Sequence, residues 1–273
     1  MSCWAFLGPA GTHTEEALFS LGVAEMEPRA CTSIGEVFAA VASGACVHGV
    51  VPIENSIEGS VNETLDALAF EHDLHVTGEF VRDIHHSLLA APGVALGDVT
   101  VVASKPEATA QCRGWIAAHL PGRPVVAANS TAEAVQRAVA EPGVAAIGTA
   151  LAADLYGARV LQGSVEDHPG NQTRFVTIGR GLGQRTGRDK TSLALFLHED
   201  KPGALLMILS EFAYGQVNLT KIQSRPTKKQ LGEYMFFIDL EGHVDDAEVA
   251  LALDCLRLKL REVIVLGSYP RAR

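Results

Sequence analysis

The sequence predicts an α/β protein in two parts, a larger α/β unit followed by a small ferredoxin-like one. Three observations predict it. Short β-rich runs alternate with helical patterns through the first 180 residues. Glycines and basic residues then break the alternation at 180–190. Beyond the break, strand and helix patterns follow the order βαββαβ. A length of 273 residues agrees, at roughly 150 residues per domain.

In the first part the expected strands are 3–7, 28–32, 47–52, 75–81, 84–91, 99–103, 124–128, 144–147, 159–163 and 173–179. The helices between them carry start signals. Ser33-Ile34-Gly35-Glu36, Ser104-Lys105-Pro106-Glu107 and Ser130-Thr131-Ala132-Glu133 all read as capping boxes, a hydroxyl accepting from one amide while the glutamate reaches back. Alternating strands and helices imply mostly parallel sheets. The expected division is 1–180, a linker 181–190 rich in glycine and basic residues, and 191–273. The last part reads as strand 191–198, helix 203–214, strands 216–224 and 232–240, helix 245–260 and strand 262–267.

Composition bounds the function. The chain is 47% hydrophobic and 20% charged, enough apolar surface for a real core. Net charge is −10 and uneven: residues 1–180 carry −11, residues 181–273 carry +1. Such acidity argues against nucleic-acid binding, which needs a basic field. An anionic substrate would need a locally positive site. The five cysteines, Cys3, Cys31, Cys46, Cys112 and Cys255, are odd in number and widely spaced, without CxxC. That pattern predicts a reduced chain with neither a disulfide framework nor a zinc site. The N-terminus reads directly as a strand, and no apolar run approaches the ~20 residues that span a bilayer. A cytoplasmic protein without a membrane partner is expected.

Several stretches could carry chemistry. Gly8-Pro9-Ala10-Gly11-Thr12-His13-Thr14 follows a strand and opens a helix, where free amides favour carboxylates. On local pattern alone it reads first as a turn capped by Thr12, since it lacks the lysine of a P-loop and the spacing of a dinucleotide fingerprint. Val51-Pro52-Ile53-Glu54-Asn55-Ser56-Ile57-Glu58-Gly59 lies at a strand's C-terminal end, where crevices form in open α/β sheets. The alternative is a cap for the next helix. In Asn171-Gln172-Thr173-Arg174-Phe175, Arg174 is one of nine basic residues in the acidic part. Its fork suits a carboxylate, or a surface ion pair. His85 and His86 adjoin in an expected strand and point to opposite faces, so they make no metal pair. Cys112 reads as a packed helix residue rather than a nucleophile. In the last part, Pro202-Gly203-Ala204-Leu205-Leu206 opens a helix, and Asn218 to Pro226 follow a strand to its end.

Taken in order, Gly8-Pro9-Ala10-Gly11-Thr12, Val51-Pro52-Ile53-Glu54-Asn55-Ser56-x-x-Gly59 and Asn171-x-Thr173-Arg174-Phe175 resemble the prephenate dehydratase family over essentially the whole chain. Ser104-x-Pro106, Gln111-Cys112 and Ala152-Ala153-Asp154-Leu155-Tyr156-Gly157 add to the resemblance. The last part is similar to an ACT domain. The resemblance implies a two-lobed catalytic domain like the type II periplasmic-binding fold. It also implies a carbon–oxygen lyase that converts prephenate to phenylpyruvate, water and carbon dioxide in phenylalanine biosynthesis, without metal or organic cofactor. Thr173 would be the catalytic residue, with Arg174 on a substrate carboxylate and Phe175 shaping the cleft. Thr12, Asn55, Ser56 and Asn171 would supply further substrate contacts. Phenylalanine, as allosteric effector, would meet Gly203, Ala204, Leu205, Asn218, Gln223, Ser224, Arg225 and Pro226. ACT units commonly pair, so a homodimer or homotetramer follows. Two residues depart from the family pattern: His13 stands where an aromatic is usual, and Gln223 where a glutamate is usual. Arogenate dehydratase and a non-catalytic amino-acid-responsive binding protein are the alternatives.

Overall fold

The computed structural model describes residues 2–23, 25–227 and 233–272. In chain order the first elements are β1 (Ser2–Leu7), α1 (His13–Phe19), β2 (Met26–Cys31), α2 (Ile34–Ala42), β3 (His48–Asn55), β4 (Gly59–Ser60) and α3 (Asn62–Asp66). A π-helical stretch, Ala67–Glu71, continues α3. Next come β5 (His75–Asp83), β6 (Ser87–Ala90), β7 (Val101–Ser104), α4 (Pro106–Gln111), α5 (Arg113–His119) and β8 (Val125–Ala127). They are followed by α6 (Thr131–Ala140), β9 (Val144–Gly148), α7 (Ala150–Tyr156), β10 (Arg159–Gln162) and β11 (Gln172–Gly179). The final six are β12 (Asp189–Phe196), α8 (Ala204–Tyr214), β13 (Leu219–Pro226), β14 (Tyr234–Glu241), α9 (Ala247–Lys259) and β15 (Glu262–Pro270). Residue 232, where the second hairpin strand was expected to begin, lies outside the described residues.

The chain divides into two compact units, neither continuous in sequence. One comprises Met1–Val37, Val50–Val61 and Val81–Phe175; the other comprises Phe38–Gly49, Asn62–Phe80 and Val176–Arg273.

In the first unit β1 and β2 pair in parallel. A separate sheet has the order β10-β6-β9-β7-β8. Here β7 runs parallel to β8 and β9, but β6 runs antiparallel to β9 and β10. The expected mostly parallel sheet is therefore mixed. Strands joined by helices keep one direction, as crossovers require, and β6 alone is reversed. Both faces of this sheet are covered. Ala145 and Ile147 enter one core with Leu88, Ala90, Cys112 and Ile116, whereas Val144 and Ala146 enter the other with Leu89, Ala134 and Val135. Side chains alternate along a strand, so burial on both sides gives the near-continuous apolar runs of the sequence.

Two of the three expected caps form. Ser130 Oγ accepts from the Glu133 amide at 3.0 Å, and Ser33 Oγ from the Glu36 amide at 3.1 Å. The returning carboxylates reach one residue further back, to the amides of Asn129 and Thr32. Ser104 is no cap. It ends β7, and its buried hydroxyl donates to the Ile147 carbonyl at 2.6 Å, leaving Lys105 as the residue before α4 and Pro106 in its first turn. The cysteine expectation is also corrected: Cys31, Cys112 and Cys255 are free, but Cys3 and Cys46 are disulfide-bonded. Wide spacing in sequence says nothing about which thiols the fold brings within bonding range.

In the second unit the order β13-β14-β12-β15 is antiparallel throughout, the arrangement expected of a βαββαβ unit. Ile208 and Phe212 of α8 and Val249, Leu253 and Leu256 of α9 bury against Leu193, Leu195, Ile238 and Leu240 of this sheet. β5 adds to its edge, parallel to β15, where Gly267 lies opposite Val76. A Cβ at Gly267 would come within 2.4 Å of the Val76 carbonyl oxygen, so only glycine allows this approach.

Candidate active site and effector set

The third sequence stretch becomes a hydrogen-bonded cluster with the second. β3 ends at Asn55, and the Asn55 side-chain oxygen accepts from the Ile57 and Glu58 amides at 2.9 and 3.0 Å. This turn returns the chain into β4, which pairs back on β3. The start of β11 is laced to the same turn: the Ser56 amide donates to the Gln172 carbonyl at 2.8 Å, and the Gln172 amide to Ser56 Oγ at 2.9 Å.

Because both oxygen lone pairs of Asn55 are taken by backbone, its Nδ2 is fixed as the donor. It reaches Asn171 Oδ1 at 2.8 Å, Thr173 Oγ1 at 2.9 Å and the Gln172 carbonyl at 3.1 Å. Asn171 Nδ2 in turn donates to Gln111 Oε1 at 2.9 Å. Thr173 is 8% exposed, and Asn55 is the hydrogen-bond partner of its hydroxyl among the described residues. The threonine oxygen accepts, so its own proton is left to donate.

Arg174 is 9% exposed and lies 3.5 Å from Glu54 Oε2. The local positive charge demanded by an acidic unit is thus present and partly offset. Phe175 is 2% exposed, so its ring is part of the buried interior. Thr12 does not join the cluster through any hydrogen bond among the described residues. Its hydroxyl donates to the Leu7 carbonyl at 3.1 Å, and the Gly11 amide is held by the Glu15 carboxylate at 2.5 Å.

Two polar residues that the sequence reading missed join the cluster. Gln111 Oε1 accepts from Asn171 and also meets His86 Nε2 at 3.0 Å. His86 is 3% exposed and stacks edge-on against His13, with ring centroids 5.3 Å apart. Burial, then the neighbouring His13, pushes the His86 pKa down to about 4, so the ring is neutral at physiological pH. Alternation gave no signal, because Ser87, Leu88, Leu89 and Ala90 are all buried and do not separate the phase of His86 from that of the exposed His85. His85 turns the other way, to Glu166 Oε1 at 2.9 Å. Burial works to raise the Glu166 pKa, but hydrogen bonds from His85 and the His86 amide outweigh it and hold the carboxyl low. Cys112 is fully buried, which pushes its thiol up to about 12 and leaves it inert.

In the second unit Gly203 precedes α8 with a φ of +87°, Ala204 is buried, and Leu205 is partly exposed. The Asn218 carbonyl accepts from the Glu241 amide. On β13, Gln223 and Arg225 are half-buried while Ser224 and Pro226 are exposed, so the stretch divides between two faces. The Gln223 side-chain oxygen is buried without a hydrogen-bond partner. Arg225 pairs with Asp66 of α3 at 3.0 Å and donates to the Asn62 carbonyl at 3.2 Å.

An α/β unit with a buried threonine donor, joined to a βαββαβ unit, defines a class of enzyme with an appended small-molecule-sensing module. Comparison with known proteins narrows the class. The family model described as prephenate dehydratase matches residues 4–182, and the ACT domain model matches residues 192–254. The prephenate dehydratase of Mycolicibacterium vanbaalenii is 44% identical over 97% of this chain and 90% of its own. The crystal structure of prephenate dehydratase from Arthrobacter aurescens, in complex with L-Phe, is 42% identical, with a TM-score of 0.90 over 98% of this chain and 90% of that one. A protein described as a novel type of quorum-quenching acylase is 29% identical, with a TM-score of 0.87 over 98% of this chain and 97% of its own. The chain belongs to the prephenate dehydratase family, with an ACT domain at its C-terminal side.

Proposed function

We propose that the chain converts prephenate to phenylpyruvate at the Asn55–Asn171–Thr173 cluster, and that L-phenylalanine regulates it through the ACT domain. The observation that carries the site is the Asn55 Nδ2 donation to Thr173 Oγ1 at 2.9 Å, because it turns the threonine proton outward as a donor. In the reaction the ring carbon–carboxylate bond breaks and releases carbon dioxide. Its electron pair enters the ring, and the hydroxyl on the opposite carbon leaves. Thr173 hydrogen-bonds the departing oxygen, which ends as water after taking up one proton. Such a donor, aimed where charge develops, lowers the barrier by roughly 3 kcal/mol. Arg174 binds a substrate carboxylate, with Glu54 holding its guanidinium in place. Ser56 and Asn171 fix the cluster, and Thr12 and Phe175 keep the roles that the family resemblance gives them, a substrate contact and a wall of the cleft.

Amide hydrolysis, the activity of the acylase relative, is not favoured here. A threonine nucleophile needs a base that accepts its proton, whereas the partner of Thr173 is an amide NH₂ that donates.

For the effector, the unpartnered Gln223 oxygen suits the ammonium group of an amino acid, and the Gly203–Leu205 turn suits its carboxylate. Residues 181–190 are proposed as the boundary between catalysis and sensing. Outward apolar side chains on the ACT helices, Leu206, Tyr214, Leu251 and Leu258, support pairing into a homodimer or homotetramer. No helix among the described residues is long and apolar enough to cross a membrane. The proposed compartment is the cytoplasm, because the substrate is a dianion that does not cross bilayers unaided. Incubation with prephenate, and separately with arogenate, with and without L-phenylalanine, tests the reading. Phenylpyruvate from prephenate, altered by phenylalanine, is the expected result; no product from either substrate would make the chain a binding protein. Sedimentation equilibrium should show a dimer or larger, and monomer alone would end the pairing model.

A further inference from the structure

We propose that Gln111 and His86 are positioning residues for the dehydration, holding Asn171 in place and so steadying the Asn55 amide that donates to Thr173. This rests on the reading that Thr173 acts at the reacting centre. The chain has one consistent polarity. Asn55 is fixed by the backbone amides of Ile57 and Glu58, so Asn171 Oδ1 must accept and Asn171 Nδ2 must donate. Gln111 Oε1 is the acceptor for that donor at 2.9 Å, and Gln111 Nε2 donates to the Glu58 carboxylate at 3.4 Å. An amide oxygen only accepts, so His86 must carry its proton on Nε2 to meet Gln111 at 3.0 Å.

Without Gln111, the Asn171 NH₂ loses its acceptor, and the side chain is held at its oxygen end alone, by Asn55 and Ser56. An Asn171 loosened in this way would let the Asn55 amide, which Asn171 Oδ1 anchors, shift against Thr173. The groups facing His86 agree with a neutral ring. His13 meets it edge-on and is itself hydrogen-bonded to Glu16 at 3.2 Å, while Glu166 engages the His86 amide and His85. His86 Nδ1 is buried without a partner, so a second proton there would be an uncompensated buried charge.

Steady-state turnover of prephenate by Gln111→Met, His86→Phe, His86→Gln and Thr173→Ala proteins tests the proposal. Gln111→Met keeps the volume but accepts no hydrogen bond from Asn171, and should lower kcat on the order of 10- to 100-fold with little change in KM, as loss of an outer hydrogen bond to a working residue does. His86→Phe should follow it. His86→Gln, which restores a donor, should recover most of the loss. Circular dichroism monitors folding, and should Gln111→Met not fold, the His86 pair decides alone. A Gln111→Met protein with kcat near wild type while Thr173→Ala is inactive overturns the positioning role and leaves the Thr173 reading standing. Equal losses in His86→Phe and His86→Gln overturn it as well, because shape rather than hydrogen bonding would then matter. An active Thr173→Ala protein removes both.

Discussion

Thr173 differs from an ordinary buried threonine in what its oxygen accepts. Its nearest donor is an amide whose own oxygen is fixed by backbone, so the direction of its proton follows from residues more than a hundred positions away in sequence. The same scale yields a pH prediction. The unfolded chain protonates His86 near 6.5, the folded chain only near 4. Between those values the unfolded state binds more protons, so stability falls as pH falls. This one group should cost about 2 kcal/mol between pH 7 and pH 5. The carboxyls of Glu16 and Glu166, both held below their ordinary value, titrate lower, whereas His48, lowered by partial burial, adds a loss of the same sign that is common to wild type and His86→Gln. Urea unfolding at the two pH values should show the loss in the wild type and most of it removed in His86→Gln; an equal loss in both proteins would contradict it.

At the scale of elements, Arg225 links two pieces of the second unit. Its guanidinium joins β13, which carries the proposed effector residues, to Asp66 and Asn62 of α3. α3 directly follows the β3–β4 turn that holds Asn55. Arg225→Gln leaves the buried Asp66 without its guanidinium and should lower stability by roughly 3 kcal/mol, read by thermal unfolding. Because Arg225 is itself one of the proposed effector residues, the same variant should also bind phenylalanine more weakly, read by calorimetry. An unchanged affinity would remove Arg225 from the effector set. Elements also show why some features were legible and others not. Ser130 caps its helix as its sequence predicts, because local spacing decides a cap. Ser104 has the same spacing but ends a strand, and the neighbouring Ile147 carbonyl claims its hydroxyl, a contact across 43 residues that no local pattern encodes. Gln111 was noticed only as part of a motif, because its partners His86 and Asn171 come from remote strands and loops.

Across the whole molecule, the alternation of strands and helices and the βαββαβ order were readable from periodicity alone. Direction was not: β6 is reversed because of how the chain enters its sheet, which periodicity does not record. Cys3 and Cys46 formed a second blind spot, since pairing depends on tertiary proximity. Charge was informative once the site was built. A unit whose sequence is strongly acidic places a buried arginine next to Thr173, paired with Glu54 at 3.5 Å, so positive charge at the cluster is local rather than a property of the overall field. The central claim is that the Thr173 hydroxyl assists the departing oxygen, and single-turnover conversion of prephenate by wild type, Thr173→Ser and Thr173→Ala tests it most directly. Thr173→Ser should keep the rate within about tenfold, and Thr173→Ala should fold normally and lose at least a hundredfold, the effect of removing one directed donor. A Thr173→Ala protein that turns over prephenate at the wild-type rate would contradict the claim.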